Sequence, residues 1–171
     1  KTDIYRPQAQ CQPPSGVVLT CAYLGNQDYG YEYQAYAQDI DYGGFEVILP
    51  ETIHPAFLKA CHILSLKARL LKVRGDKRAD PELIQRSITD KTILVAASAP
   101  CFPYGVIDPI SEIGKIAKRN HLFFHVDACM GGFMLPFLED IGYSVPLFDF
   151  RVSGVTSISL DAHKYGYAPK G

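Results

Sequence analysis

The sequence predicts an α/β domain built on a mainly parallel sheet flanked by helices. Apolar, strand-like runs alternate with helical patterns, the connections between them are short, and Asp-Pro pairs stand where helices would begin. The chain has 171 residues, of which 47% are hydrophobic and 20% are charged, as in a core-forming domain. That length fits about one domain, on a prior of roughly 150 residues per domain.

The first predicted elements are a strand, a helix and a second strand. Residues 45–49 (FEVIL) form a short apolar run closed by Pro50, which is typical of a buried strand. Residues 54–65 are predicted as a helix, because apolar side chains recur there at the spacing of one helical face. These side chains are Phe57, Leu58, Cys61 and Leu64. Residues 68–73 read as the next strand, which Gly75 ends.

Two Asp-Pro pairs predict the starts of two further helices. Asp80-Pro81 and Asp108-Pro109 each offer an N-cap followed by the residue best suited to the first helical turn. The predicted buried faces of these helices are Leu83, Ile84 and Ile88, and then Ile110, Ile113, Ile116 and Ala117. Strands are predicted over residues 92–98, 121–127 and 155–159, and the first of these is apolar enough to be buried on both sides.

Two compositional regimes divide the chain near residue 44. Residues 1–44 hold seven of the eleven tyrosines and have no sustained period, so this segment is left unassigned. Residues 45–171 carry the whole strand–helix alternation and are predicted to form the folded domain.

Composition excludes several classes of function. Seventeen basic and eighteen acidic residues give a net charge of −1, which removes the electrostatic argument for a nucleic-acid partner. No apolar run approaches the ~20 residues of a transmembrane segment, and no signal peptide opens the sequence. The five cysteines are scattered without a C-x-x-C pair, so a disulfide scaffold is not expected and a cytoplasmic location is predicted.

Polar residues at predicted strand ends mark the candidate site, because ligands of open α/β sheets gather beyond the carboxyl ends of the strands. These residues are Ser98, Asp127 and the group 161–164. Lys164 is expected to lose proton affinity through partial burial and so become a usable amine nucleophile. An acid at a strand end followed by such a lysine suggests pyridoxal phosphate, which needs a lysine for its aldehyde and an acid for its ring nitrogen.

Simpler interpretations of the same residues stay open. An aspartate after a strand commonly caps a turn, and a lysine near Gly and Tyr is commonly solvated. His121 and His125 resemble a metal-ligand pair, but four residues of strand separate them by ~13 Å, so no shared metal is expected. Cys101 and Cys129 are most simply small buried groups.

Four segments together resemble a known family. They are PETIHPAFLKA (50–60), SAPCFPYGVIDPI (98–110), HVDACMGGFMLPF (125–137) and FDFRVSGVTSISLDAHKYGYAPKG (148–171). They resemble the sphingosine-1-phosphate lyases, which are pyridoxal phosphate enzymes of fold type I related to the group II decarboxylases. The resemblance implies that residues 45–171 are part of an aspartate-aminotransferase-like large domain, incomplete in this chain.

The resemblance implies a role for each matched residue. Lys164 would bind the cofactor aldehyde, Asp127 would hold the ring nitrogen protonated, and His54 would stack on the ring. His163 would lie near the cofactor phosphate, and Lys170 would meet the phosphate of the substrate. The remaining cofactor contacts are assigned to two residues at strand ends, Ser98 and Ala128.

The activity implied is cleavage of a phosphorylated long-chain base, sphingosine 1-phosphate, to a long-chain aldehyde and phosphoethanolamine, in a homodimer. A group II amino-acid decarboxylase is the alternative, since it shares Asp127, His54 and Lys164 but has no use for Lys170. The family's Gly-Gly-Thr phosphate loop has no counterpart, and Cys21-Ala22-Tyr23 stand at its place. A third interpretation is therefore a catalytically inactive, truncated domain, and the chain alone is expected to bind pyridoxal phosphate weakly.

Overall fold

A single five-stranded parallel sheet organises the chain in the computed structural model, which describes residues 44–170. The strands are β1 (Glu46–Pro50), β2 (Lys67–Leu71), β3 (Thr92–Ser98), β4 (Phe123–Asp127) and β5 (Ser157–Ser159). Their order in the sheet is β2-β1-β3-β4-β5, and each neighbouring pair is parallel. The predicted α/β fold class is therefore confirmed, and the carboxyl ends of all five strands meet at one edge of the sheet.

Helices connect the strands and cover both faces of the sheet. They are α1 (Ala56–Ile63), α2 (Pro81–Ser87), α3 (Ile110–Arg119) and α4 (Gly131–Asp140). None of the helices in the described part of the chain is long and apolar enough to span a membrane. The unassigned segment of the sequence spans residues 1–44, and all of it except Gly44 lies outside the described residues, including the position of the missing phosphate loop.

The two faces of the sheet have different chemistry. One face packs Ile48, Val95, Phe124 and Val126 into a large apolar core that also contains the buried sides of α2, α3 and α4. The other face packs under α1 and is apolar along β2, β1 and β3. On β4 and β5 that second face carries polar side chains, and the candidate site lies there.

The two Asp-Pro pairs differ in what the aspartate does. Asp80 is the predicted N-cap of α2, since its Oδ1 accepts hydrogen bonds from the backbone N–H groups of Glu82 at 3.0 Å and Leu83 at 3.3 Å. The matching prediction for Asp108 is wrong, because α3 begins after Pro109 without a side-chain cap. Asp108 is instead buried, and its carboxylate joins the loop before α2 to the end of β3.

The helix α4 is not predicted by any pattern in the sequence. Gly131, Gly132 and Pro136 are poor helix formers, so no helical pattern stands out over residues 131–140. The first glycine is needed for packing, because a Cβ at Gly131 would collide with the carbonyl oxygen of Ala99 after β3. The helix forms because tertiary packing places Leu135 in the core, which overrides local propensity.

Smaller differences concern the boundaries and one face of a helix. The predicted helix 54–65 is shorter at both ends, and the predicted strands 121–127 and 155–159 lose their first two residues. In α1 the side chain of Cys61 is buried, whereas Leu58, expected on the same face, is 38% exposed. Part of the apolar face of α1 is therefore not covered by the described residues.

Candidate active site

Three residues form a row across the carboxyl ends of three adjacent strands. Asp127, the last residue of β4, is in register with Ser98 of β3 on one side and with Ser159 of β5 on the other. Residues in register across a parallel sheet present their side chains to the same face. The sequence prediction that Ser98 and Asp127 meet at this edge is thus reproduced by strand register, and Ser159 joins them.

The Asp127 carboxylate is buried and held by hydrogen bonds. Asp127 is only 5% exposed. Its Oδ1 accepts hydrogen bonds from the backbone N–H of Cys129 at 3.1 Å and from the Ser159 hydroxyl at 3.2 Å. These donors offset part of the cost of removing a carboxylate from water. They also fix the direction in which the carboxylate faces.

Lys164 lies in the turn after β5, and its ammonium is paired. Nζ lies 2.9 Å from Oδ2 of Asp161, and the side chain is 30% exposed. Burial by itself lowers the pKa of Lys164, but hydrogen bonds to Cys129 and Asp161 outweigh it, so the pKa is raised. The expectation of a lysine with reduced proton affinity is wrong for this state, because it did not include the neighbouring acceptors.

Cys129 connects the two candidate residues. Burial is the largest of the effects that raise the pKa of its thiol, which is hydrogen-bonded to Lys164 and also interacts with the Asp127 carboxylate. The thiol, uncharged at neutral pH, therefore lies between the acid and the amine. Sequence reasoning treated Cys129 as a small buried group and missed this position, for which the only signal was its place two residues after Asp127.

His125 extends the polar face behind Asp127. Nδ1 lies 2.8 Å from the Ser157 hydroxyl, and Nε2 lies 3.2 Å from the Ser159 hydroxyl. The ring also packs against Phe57 of α1, with the ring centroids 5.5 Å apart. Burial lowers the pKa of His125, and the nearby Asp127 only partly opposes this effect. The imidazole is therefore neutral at pH 7.

The histidines predicted from the resemblance occupy the same edge but have other contacts in this structure. His54 is exposed between β1 and α1, where Nδ1 accepts from the backbone N–H of Ala56 at 3.2 Å and the ring meets Phe102 edge-on at 6.3 Å. His163 lies 3.9 Å from Asp161, the acid that also binds Lys164.

The other predicted site residues differ in their burial and in their hydrogen bonds. Ala128 is fully buried directly after Asp127, and its N–H donates to the carbonyl oxygen of Ser159 at 2.9 Å. The backbone N–H of Ser98 donates to the buried Asp108 at 2.8 Å. Lys170 is exposed near the end of the described residues. No group of acids, histidines or cysteines within residues 44–170 could hold a metal ion.

The donors at this edge fit pyridoxal phosphate. This group needs an amine for its aldehyde and an acid for its ring nitrogen, and Lys164 and Asp127 supply both on one side of the sheet. The Thr52 hydroxyl, two residues before His54, is buried without a hydrogen-bond partner among residues 44–170. This edge therefore also holds a polar group that a ligand or another part of the chain can satisfy.

The fold and the acid–lysine pair define a domain of the pyridoxal-dependent class, and comparison with known proteins identifies the family. Residues 47–171 match the family model described as the pyridoxal-dependent decarboxylase conserved domain. The chain belongs to this family.

Sphingosine-1-phosphate lyases are among the most similar relatives. The chain is 51% identical over 126 residues to the protein of that name from Arabidopsis thaliana, and 50% identical over 129 residues to that from Dictyostelium discoideum. Both matches cover 74% of this chain, and they cover 23% and 24% of the relatives. The chain thus spans about a quarter of their length, and the resemblance inferred from the four motifs is confirmed.

Solved structures agree on the fold. The sphingosine-1-phosphate lyase of Burkholderia pseudomallei superposes with a TM-score of 0.73 at 39% identity, covering 81% of this chain and 32% of that one. Mouse CSAD and the glutamate decarboxylase of Lactobacillus brevis each give a TM-score of 0.65 at 22% identity and cover 81% of this chain and 30% and 32% of their own. These two likenesses concern the fold alone, and they confirm that the chain has the large-domain fold of these enzymes.

Proposed function

We propose that the full-length protein is a pyridoxal phosphate-dependent carbon–carbon lyase. Its substrate is a phosphorylated long-chain base such as sphingosine 1-phosphate, and its products are a long-chain aldehyde and phosphoethanolamine. The observation that carries the proposal is the convergence of Asp127 and Lys164 on Cys129 at the carboxyl edge of the sheet. Identity of about half to lyases of that name supports the choice of substrate.

The role proposed for Lys164 is to bind the cofactor through its amine. When bound, pyridoxal phosphate supplies a carbonyl carbon for an amine and a ring that accepts the electron pair of the breaking bond. Nζ carries a proton that Asp161 stabilises at 2.9 Å, and the amine becomes nucleophilic when that proton leaves. Cys129 and Asp161 therefore together raise the pH above which Lys164 is reactive.

The role proposed for Asp127 is to keep the ring nitrogen protonated. A carboxylate held by the N–H of Cys129 and the hydroxyl of Ser159 is pointed in one direction. A fixed negative charge next to the ring nitrogen stabilises its positive charge as electrons enter the ring. This residue thus strengthens the electron sink on which bond cleavage depends.

The other roles are proposed from the family resemblance. His54 would stack on the cofactor ring, His163 would lie near the cofactor phosphate, and Lys170 would bind the substrate phosphate. An ammonium suits a phosphate because it is a compact charge with three donors. Lys170 is exposed, so its amine is accessible to a substrate.

An amino-acid decarboxylase is the second candidate, because the matching family model describes a decarboxylase domain. The two reactions use the same acid and lysine but differ at the substrate phosphate. An amino acid has no phosphate, so a decarboxylase would not depend on Lys170. A domain without cofactor binding is the third candidate, since no phosphate loop has been assigned.

Two experiments on the full-length protein separate these candidates. Borohydride reduction of the cofactor-loaded protein, followed by peptide mapping, should place the label on Lys164; a label on Lys91 or on Lys170 contradicts the assignment. Incubation with sphingosine 1-phosphate should release aldehyde and phosphoethanolamine, whereas release of carbon dioxide from an amino acid supports the decarboxylase. Absence of any label supports the inactive domain.

Lys170→Met tests the substrate class directly. We expect it to raise KM for sphingosine 1-phosphate about tenfold or more, because a charge-assisted contact with the phosphate is lost. Lys91→Met, at an exposed lysine before β3, is the matched control and should leave KM unchanged. A homodimer and a cytoplasmic location remain predictions from the sequence and the family.

A further inference from the structure

A chain of side-chain hydrogen bonds runs along β4 and β5 and ends on the candidate acid. Ser157 lies 2.8 Å from Nδ1 of His125, Nε2 of His125 lies 3.2 Å from Ser159, and Ser159 lies 3.2 Å from Asp127. His125 is in register with Ser157, and Asp127 is in register with Ser159, so all four side chains share one face. The four side chains line up because each strand has polar residues at two alternating positions.

The donor and acceptor roles in this chain follow from its last member. An ionised carboxylate only accepts, so the single hydroxyl hydrogen of Ser159 is donated to Asp127. Ser159 must then accept from His125, which places the ring proton on Nε2. A neutral imidazole has one N–H, so Nδ1 accepts from the hydroxyl of Ser157. Every donor in the chain therefore points toward Asp127.

The surroundings of this chain of hydrogen bonds indicate that it acts on Asp127 and does not merely fill space. Apart from Ser98 at the end of β3, the same face of the sheet is apolar on β1 and β3, where Val47, Leu49 and Ala96 pack under α1. An imidazole and two hydroxyls in such a place cost free energy unless each is hydrogen-bonded, and apolar side chains would pack there at no such cost. The polar chain does not end in solvent but on a carboxylate.

We propose that Ser159 is a positioning residue, oriented by His125, that fixes the Asp127 carboxylate toward the ring nitrogen of the cofactor. The proposal rests on the proposed function, because only a cationic ring needs the carboxylate in one orientation. In this arrangement the neutral Nε2–H tautomer of His125 orients the Ser159 hydroxyl. It also accounts for the serines of β5.

The tautomer is tested without cofactor or activity. Selective ¹⁵N-histidine labelling of the full-length protein, with His125 assigned by the signal lost in His125→Gln, reports the protonation of both ring nitrogens. We expect the Nε2–H tautomer at pH 7. An imidazolium or the Nδ1–H tautomer would overturn the proposal, because Ser159 would then lack the orientation described. This result is independent of whether the protein binds pyridoxal phosphate.

Cofactor binding tests the consequence for Asp127. We expect Ser159→Ala to weaken the affinity for pyridoxal phosphate about tenfold, since a hydrogen bond to a charged group is lost. Ser159→Thr keeps the hydroxyl and suits a strand, so it should restore the affinity to within about threefold. Ser157→Ala, the matched control, removes only the far end of the chain and should also stay within about threefold.

The outcomes are distinguishable. If the unchanged protein does not bind pyridoxal phosphate, the proposed function fails while the tautomer measurement still decides the hydrogen-bond chain. If the unchanged protein binds and Ser159→Ala binds equally well, the positioning role is wrong. The role is also wrong if Ser159→Thr or Ser157→Ala binds pyridoxal phosphate as weakly as Ser159→Ala does. The loss of affinity would then reflect packing and not the hydrogen bond from the Ser159 hydroxyl to Asp127.

Discussion

Oδ2 of Asp161 lies 2.9 Å from Nζ of Lys164, three residues further along the chain. The turn after β5 thus brings its own acid to the amine, and His163 reaches the same carboxylate at 3.9 Å. The consequence is a lysine that keeps its proton more firmly than burial alone would allow. If Lys164 binds the cofactor as proposed, this ion pair has to break or shift.

Asp161→Asn should lower the pKa of Lys164, because the amide removes the negative charge that stabilises the ammonium. The pH midpoint for reaction of cofactor-free Lys164 with an amine-specific reagent, followed by peptide mapping, should therefore move downward. Asp90→Asn, at an exposed position before β3, is the control and should leave the midpoint in place. A midpoint that rises or stays unchanged in Asp161→Asn contradicts the ion pair.

Asp127→Asn should leave the fold intact and reduce lyase activity about a hundredfold, since a neutral amide cannot hold the ring nitrogen protonated. The amide oxygen can still accept from Cys129 and Ser159, so the hydrogen bonds that hold the side chain remain. Steady-state assays of aldehyde release measure the activity, and circular dichroism of both proteins checks that the fold is intact. Activity within a few-fold of the parent would remove Asp127 from the mechanism.

Asp108→Ala should destabilise the domain by about 3 kcal/mol. The buried carboxylate accepts from the backbone N–H of Ala79 at 2.8 Å and of Ser98 at 2.8 Å, and alanine leaves both donors unsatisfied. Asp108→Asn keeps one acceptor, so its loss should be smaller. Urea unfolding of the full-length protein measures the difference, and equal stability of Asp108→Ala and the exposed control Asp90→Ala would refute this bridging role.

Glu46 should make stability depend on pH at the acid end. Hydrogen bonds and ion pairs from Lys67 at 2.8 Å and Arg69 at 2.8 Å, with the Thr89 hydroxyl at 3.0 Å, lower the pKa of Glu46 to about 2. A lowered folded-state pKa gives stability that is complete above the ordinary value of 4.5 and is lost as the pH falls toward 2.

The test compares Glu46→Gln with the parent protein. The substitution should cost about 2 kcal/mol at pH 7, less than a fully buried pair because Lys67 is largely exposed. The difference in urea midpoint should shrink as the pH falls from about 4.5 to about 2. Glu112→Gln, on the exposed side of α3, should show no such trend. A difference that stays constant over this range would contradict the lowered pKa of Glu46.

The sheet could be predicted because its signals are local. The strands β1 and β3 are largely apolar runs, and the Asp80 cap and the apolar positions of α3 follow simple spacing rules. The carboxyl-edge location of Ser98 and Asp127 then follows from parallel strands alone. By contrast, α4 begins with two glycines and forms through packing, which no local pattern reports.

Most of the contacts that set the chemistry of the site come from other elements of the fold, which the sequence does not encode locally. Burial was foreseen for Lys164, but the acceptors Asp161 and Cys129 reverse its effect on the pKa of the lysine. Asp108 carries the same Asp-Pro signature as Asp80, yet the distant N–H of Ala79 binds it and no cap forms. The role of His125 is set by serines on another strand, which only the register of β4 with β5 brings together.

The pairing of β4 with the short strand β5 also bears on the order of events during synthesis. Ser159 and Asp127 are 32 residues apart in the chain, and β5 contains only three residues. Among the described strands β5 comes last in chain order, so during synthesis its contacts with β4 form after those of the preceding strands. A nascent chain therefore has its central strands before it has an oriented Asp127, and we expect cofactor capture to follow the docking of β5.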